Sequence, residues 1–217
     1  TTIVNPKFVD STWQKINIPH DWVVELPFVK SEQVEMDSHG YKPVGGAYPE
    51  TSIGWYRKHF SVEKSKSKKR FEIQFDGIYR NAEIWLNGFY VGTNFSGYLG
   101  NSYDVSDYIN FEGDNVLVIR VDATQYEGWF YEGAGIYRHV WLHITDKIFI
   151  PQGGIFVHSE VKGKNAEVTI ETTIQNNNLK NSNSVICSYI TDRNGKIIGK
   201  TKEQKVNLGI FKIQTIK

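Results

Sequence analysis

Two carboxylates bracket a run of aromatic residues at positions 127–132: Glu127, Gly128, Trp129, Phe130, Tyr131, Glu132. These residue types suit a sugar. Aromatic faces stack on the apolar faces of sugar rings, while neighbouring polar groups take the hydroxyls. Two carboxylates about 5 to 9 Å apart can also hydrolyse a glycosidic bond, although sequence spacing does not set that distance. Trp129, Phe130 and Tyr131 read equally as an exposed rim or as core aromatics. A second candidate is His20-Asp21, as half of an acid–base pair. Neighbours on an extended strand face opposite ways, so the better reading has Asp21 hydrogen-bonding nearby backbone beside a satisfied His20. A third is Ser38, His39, Gly40 and Tyr41, in a long polar connection over 29–54. They suit a sugar contact or an ordinary surface loop.

Other chemistry lacks its residues. No Cys or His cluster has zinc spacing, so no metal is expected. No glycine-rich loop joins a strand to a helix, so no phosphate cradle or other cofactor site is implied. A Ser nucleophile on a sharp turn is also missing. The basic run at 64–69 reads as a charged turn between strands rather than a site for an acidic partner. A formal charge of +1 over 217 residues gathers neither nucleic acid nor an anionic membrane. No apolar run is long enough to span a bilayer. The single Cys187 excludes an internal disulfide framework. The chain opens on Thr1-Thr2 without Met, which reads as a trimmed piece of a longer protein. Compartment stays open: exported if a signal was removed, cytoplasmic otherwise.

The candidate residues need elements to hold them. Residues 129–142 run from aromatics through Gly133-Ala134-Gly135 into an alternating stretch, 136–142, that predicts a strand. Pro19 places 16–22 on an edge, anchored by Trp13 and Trp22. Strands are predicted at 55–62, 71–75, 82–86, 89–92, 103–109 and 115–121. Asn87-Gly88 between two of them is a type I′ hairpin turn. On the last strand Val116, Val118 and Arg120 share one face, and Leu117, Ile119 and Val121 the other. Many short strands without a helical period predict an all-β chain, with a jelly-roll β-sandwich over 1–147. After Pro151 the aromatics thin out and Asn, Lys, Thr and Ser rise. Strands at 155–161, 166–175, 185–191, 196–202 and 211–216 predict a smaller immunoglobulin-like β-sandwich over 148–217. Asn176-Asn177-Asn178 reads as a loop and Asn194-Gly195 as a hairpin turn. About six strands fit where about seven are expected, so the second domain reads as truncated at its C-terminal strand.

Four blocks resemble glycoside hydrolase family two, the family of β-galactosidases and β-glucuronidases. They are Ile18-Pro19-His20-Asp21-Trp22; Gly54-Trp55-Tyr56-Arg57-Lys58 through Phe60; Phe75-Asp76-Gly77 with Ala82-Glu83-Ile84-Trp85-Leu86-Asn87-Gly88 and Val91-Gly92; and Gly133-Ala134-Gly135-Ile136-Tyr137-Arg138 with Val140-Trp141-Leu142. Their order and spacing resemble the family's, and Ser102-Tyr103-Asp104-Val105-Ser106-Asp107-Tyr108 is most similar to the β-galactosidase branch. The resemblance implies a sugar-binding jelly roll, then an immunoglobulin-like domain, then a TIM barrel in cis carrying both catalytic glutamates. On that reading this chain has no catalytic residue and is inactive alone. Its parent hydrolyses a β-galactoside or related β-glycoside with retention. In the family the loop before Gly-Ile-Tyr-Arg reaches into the active site, and some members carry an acidic residue six positions before the second glycine. Trp129 stands there instead, so neither that acidic contact nor a metal carries over. Glu127 and Glu132 lie out of register with it. Trp129 and Tyr131, with Glu127 and Glu132, are the expected substrate contacts; Arg138 is expected to brace the fold. An autonomous carbohydrate-binding module and a structural or oligomerisation domain are the alternatives, and a homo-oligomer is compatible with all three.

Overall fold

The computed structural model describes residues 2–30, 47–49, 52–125 and 133–217. The chain divides into two compact units, Thr1–Ile144 and Thr145–Lys217. Among the described residues there is no α-helix, only three short 3-10 turns at Trp22–Glu25, Lys64–Lys66 and Ser106–Tyr108. The all-β expectation holds.

The first unit carries β1 (Phe28–Lys30), β2 (Ala47–Pro49), β3 (Ile53–Ser61), β4 (Arg70–Phe75), β5 (Ala82–Leu86), β6 (Phe89–Asn94), β7 (Asn101–Asp104), β8 (Asp114–Asp122) and β9 (Val140–Thr145). A four-stranded sheet in the order β3-β8-β5-β6 faces a three-stranded sheet in the order β7-β4-β9, and β1 and β2 form a ribbon. Alternation makes the core. Phe71, Ile73 and Phe75 of β4 meet Ile84 and Leu86 of β5 and Leu117, Ile119 and Val121 of β8 in one buried cluster. The Asn87-Gly88 turn has positive φ at both residues, 54° and 85°, as a type I′ hairpin requires.

Two predicted strands are broken. The 103–109 strand stops at Asp104, whose carboxylate accepts the Ser106 amide (3.0 Å) and hydroxyl (2.6 Å). The Ser106 hydroxyl in turn accepts the Phe71 amide at 2.9 Å. Such local side-chain bonds compete with a ladder and turn the chain. The 136–142 strand becomes regular only at Val140. Before it, Tyr137 and Arg138 crowd the α-carbon of Gly77, where an added Cβ would lie 2.7 Å from one and 2.9 Å from the other.

Both faces of β8 are buried, including Val116 and Val118 on the outer side. The N-terminal segment is fastened on that outer side. Arg57 lies across from Val118 and His59 across from Val116, on the outer face of the sheet. Arg57, only 1% exposed, reaches into residues 3–10. Its Nε donates to Asp10 Oδ2 at 2.8 Å, its Nη1 to the carbonyls of Ile3 and Asn5, and its Nη2 to that of Phe8 at 3.5 Å. The guanidinium also lies 5.4 Å from the Phe8 ring centroid. His59 extends the clamp, with Nε2 2.9 Å from Asp10 and Nδ1 against Asp114. A segment without regular structure is thus strapped to the sheet through one buried cation.

The second unit holds β10 (Ile148–Phe149), β11 (Ile155–Lys162), β12 (Asn165–Asn176), β13 (Ser182–Ile186), β14 (Tyr189–Thr191), β15 (Ile197–Lys200), β16 (Gln204–Leu208) and β17 (Ile213–Ile216). The strand expected over 185–191 is two strands, because β13 pairs with β16 whereas β14 pairs with β15. The partner changes at Ser188, whose amide donates to the Thr201 hydroxyl at 2.9 Å. β16, unforeseen, turns Val206 and Leu208 inward. Eight strands therefore lie within 148–217, where about six are expected from the sequence. The Asn194-Gly195 hairpin turns with positive φ at Gly195 alone, held by Asp192 accepting the Asn194 and Lys196 amides. Asn176 is no loop residue: fully buried, its side-chain amide donates to the carbonyls of Lys180, Leu208 and Gly209.

The strap has a pH signature. Hydrogen bonds from Arg57 and then His59 hold the Asp10 carboxyl below its usual value, so its contribution is present above about pH 4 and is lost as pH falls further. Hydrogen bonds to Asp114 and then Asp10 raise His59, so its contribution is full below about pH 6.5 and is lost as pH rises through the raised value. Thermal unfolding of the first unit should therefore peak in Tm at about pH 5–6. Asp10→Ala should cost about 2 kcal/mol and flatten the profile, because it leaves a buried guanidinium without its carboxylate. A Tm that climbs steadily from pH 6 to 9 would contradict this.

Candidate functional site

Residues 134–136 lie between two other chain segments. On one side His20 N donates to Ile136 O at 2.8 Å and Trp22 N to Ala134 O at 3.1 Å. On the other, Gly135 and Tyr79 exchange both backbone hydrogen bonds, at 2.7 and 2.9 Å. Gly135 therefore sits at the centre of a three-segment junction. Its φ is +124°, and an added Cβ would lie 2.4 Å from Tyr56 Oη and 2.7 Å from the His20 carbonyl oxygen. Only glycine fits this backbone and this space. Trp22 closes the junction from above: its ring lies over Gly54, where a Cβ would come within 2.5 Å of it, and its Nε1 donates to Ser52 Oγ at 3.1 Å.

Asp21 ties the same point. Its Oδ1 accepts the amides of Val23 (3.0 Å) and Ala134 (2.9 Å). The first bond caps the 3-10 turn Trp22–Glu25. The second crosses 113 residues to hold the C-terminal side of the 126–132 stretch. The N-terminal side is held as firmly. Buried Arg80 donates from Nη2 to the Gln125 carbonyl at 2.7 Å, and Ala123 N donates to Ser52 O at 3.2 Å. Asp122 accepts the Thr124 hydroxyl (2.6 Å), the Thr124 amide (3.2 Å) and Arg120 (2.9 Å). Those donors, the Thr124 hydroxyl foremost, keep its carboxyl below the ordinary range.

His20 and Tyr56 stand directly under the junction. His20 Nδ1 is 2.9 Å from Tyr56 Oη, and the Ile136 amide donates to the same oxygen at 3.4 Å. The rings meet edge to face, centroids 5.8 Å apart. Burial, with the nearby charges of Asp21 and Glu25, pushes the Tyr56 phenol up to about 12, so it keeps its proton at every physiological pH.

Glu127, Trp129, Phe130, Tyr131 and Glu132 lie outside the described residues, as do Ser38, His39, Gly40 and Tyr41. The residues flanking the first group are described, and they form the frame above. The backbone-binding reading of Asp21 agrees with its two amide bonds. Arg138 packs over Gly77 beside Asp76. That carboxylate accepts Trp141 Nε1 at 2.8 Å and Gln74 Nε2 at 2.6 Å. Tyr56, Tyr79 and Arg80 were not anticipated. Alternation along 55–62 puts Tyr56 on the inner face, but nothing local to Tyr79-Arg80 points to residues 125 and 135. Among the described residues no three His, Cys, Asp or Glu side chains converge on a metal position.

Fold and junction together define an all-β sandwich module. Residues 6–146 match the family described as "Glycosyl hydrolases family 2, sugar binding domain". The chain is 39% identical over 199 residues to Beta-galactosidase BoGH2A of Bacteroides ovatus, covering 91% of this chain and 22% of that protein. It is 28% identical over 222 residues to a beta-glucuronidase of Formosa agariphila, covering 89% of this chain and 22% of that one. The crystal structure of a glycosyl hydrolase family 2 member from Bacteroides cellulosilyticus superposes with a TM-score of 0.83 at 29% identity, over 98% of this chain and 28% of its own. The chain belongs to glycoside hydrolase family 2. It spans about a fifth of the length of these two curated relatives.

The junction predicts a contrast between glycines. Gly135→Ala should lower unfolding stability by about 3 kcal/mol in urea, because its Cβ meets backbone and a buried phenol. Gly153→Ala, at φ +69° with nothing within 4 Å, should cost only about 1 kcal/mol for its left-handed backbone. Equal costs would mean that close packing at Gly135 is not what demands glycine.

Proposed function

We propose that this chain is the non-catalytic N-terminal part of a retaining β-glycosidase, and that its first unit holds the 126–132 loop against the active site of a TIM barrel supplied by the rest of the protein. One observation carries this reading: both flanks of residues 126–132 are pinned by hydrogen bonds from distant segments. Arg80 holds Gln125, and Asp21, Trp22 and Tyr79 hold residues 134 and 135. Evenly pinned flanks lower the ordering cost of the residues between them, which is what a rim that must meet substrate repeatedly requires. Trp129 and Tyr131 form the apolar wall for a sugar ring, and Glu127 and Glu132 take its hydroxyls. Both catalytic carboxylates belong to the barrel, so this chain alone turns over nothing. A β-galactoside is the favoured substrate because the relative at 39% identity is a beta-galactosidase.

The test uses a full-length enzyme containing this region. Trp129→Ala should reduce kcat/KM on an aryl β-galactoside about tenfold, the equivalent of one lost stacking contact of roughly 1.4 kcal/mol, with Tm unchanged. A rise in KM alone assigns the loss to binding shared by ground and transition states, and a fall in kcat to a contact made in the transition state. Unchanged kcat/KM in Trp129→Ala, Glu127→Gln and Glu132→Gln together would sink the reading. Saturable binding of millimolar galactose by the isolated chain would favour an autonomous module instead.

A further inference from the structure

His20 is a titratable side chain at the junction with one ring nitrogen lacking a hydrogen-bond partner among the described residues. Its side chain is 17% exposed, yet Nε2 is buried without a hydrogen-bond partner among the described residues, and Glu25 Oε1 lies 3.7 Å from it. Nδ1 faces Tyr56 Oη at 2.9 Å. The Tyr56 proton stays on its oxygen, as shown above, and needs an acceptor. The Ile136 amide is a donor, so His20 Nδ1 is the acceptor on hand. This fixes the tautomer: the ring proton sits on Nε2 and Nδ1 carries the lone pair.

We propose that His20 is a proton-linked positioning residue. Neutral, it accepts the Tyr56 hydroxyl and leaves the phenolic oxygen to receive the Ile136 amide; protonated, it reverses that bond and loosens the C-terminal anchor of the 126–132 loop. The Tyr56 hydroxyl has one proton to give, and its two hydrogen-bonding neighbours among the described residues are His20 Nδ1 and the Ile136 amide. Once Nδ1 carries a proton, both neighbours are donors and the hydroxyl proton has no acceptor between them. One contact must give way, and the Ile136 bond, at 3.4 Å, is the longer. The imidazolium then turns its Nε2–H toward Glu25. Among the described residues the charged and titratable groups near His20 are Tyr56 on β3 and Asp21 and Glu25 on its own segment, while residues 134–136 bond to it through backbone. Glu25, with Oε1 3.7 Å from Nε2, is the counter-charge on that side of the ring. His20 also bonds Ile136 through its backbone amide, so movement of the ring is felt at the same residue. The consequence for catalysis rests on the loop role proposed above; the proton linkage does not.

The linkage is read on the 217-residue chain itself. Imidazole nitrogen NMR should show the Nε2–H tautomer of His20 at pH 8. The Gly135 and Ile136 amide resonances should move with the same midpoint as the His20 ring on acidification. His20→Asn places a neutral acceptor where Nδ1 was. It should keep the pH 8 position of the Ile136 amide and abolish its titration, and Tyr56→Phe should uncouple the two. An Nδ1–H tautomer, a His20 that does not titrate before the chain unfolds, or a titration that leaves Ile136 unmoved would each overturn the proposal. In the full-length enzyme, His20→Asn should remove an acid-side fall in kcat/KM present in the parent. Linkage by NMR without that change in rate would reject the loop's part in catalysis and leave the proton switch standing.

Discussion

The reciprocal backbone pair between Gly135 and Tyr79 is the constraint from which the first unit is organised. The pair can form only if residue 135 has no side chain, because Tyr56 and the His20 carbonyl occupy the space a Cβ would take. Once it forms, residues 20–22 can lie along the other side of 134–136 and satisfy its remaining carbonyls. Trp22 then has a seat over Gly54, and Asp21 comes within reach of Ala134. A buried backbone amide left without an acceptor costs roughly 1–3 kcal/mol. Losing one member of this set therefore strands others, and the junction behaves as a unit.

The sheet β3-β8-β5-β6 uses its two faces for two different purposes, and the block Trp55-Tyr56-Arg57-Lys58 shows how. Alternation sends Tyr56 inward to the junction and Arg57 outward to the strap. Trp55 joins Arg57 on the outer side, stacked on Trp85 at 5.9 Å. One short motif thus braces the 134–136 junction and fastens residues 3–10 over the opposite face. That double duty gives a physical reason for bulky aromatics and a buried cation side by side.

Much of this was legible in the residues. Asn87-Gly88 dictates its turn because few residue pairs adopt positive φ twice, and the alternation of Phe71, Ile73 and Phe75 places the core. The all-β character and the family's blocks were equally plain. What escaped shares one cause, dependence on partners far along the chain. Val116 and Val118 are buried on the face to which Arg57 and His59 fasten a segment with no regular structure, and no periodicity on β8 announces that. Asp104 and Ser106 end a strand that composition would extend, through bonds that include the distant Phe71 amide. Asn176 looked like a loop asparagine and is a fully buried knot between hairpins. At the site, Asp21 was readable as a backbone acceptor, but its bond to Ala134 spans the unit. The aromatic and acidic residues between the pinned flanks were readable by type, and their positions lie outside the described residues.

Native-state hydrogen exchange at His20, Tyr79, Ala134 and Gly135 is the most direct measure of whether the loop's C-terminal anchor is rigid. If the junction is one cooperative unit, these four amides exchange only by the global opening that also exposes Val118 in the middle of β8, with the same free energy and the same denaturant dependence. Exchange several orders of magnitude faster than Val118, with little denaturant dependence, would mean that the junction opens locally. The 126–132 loop would then be held at one end only, and a preorganised rim would be ruled out.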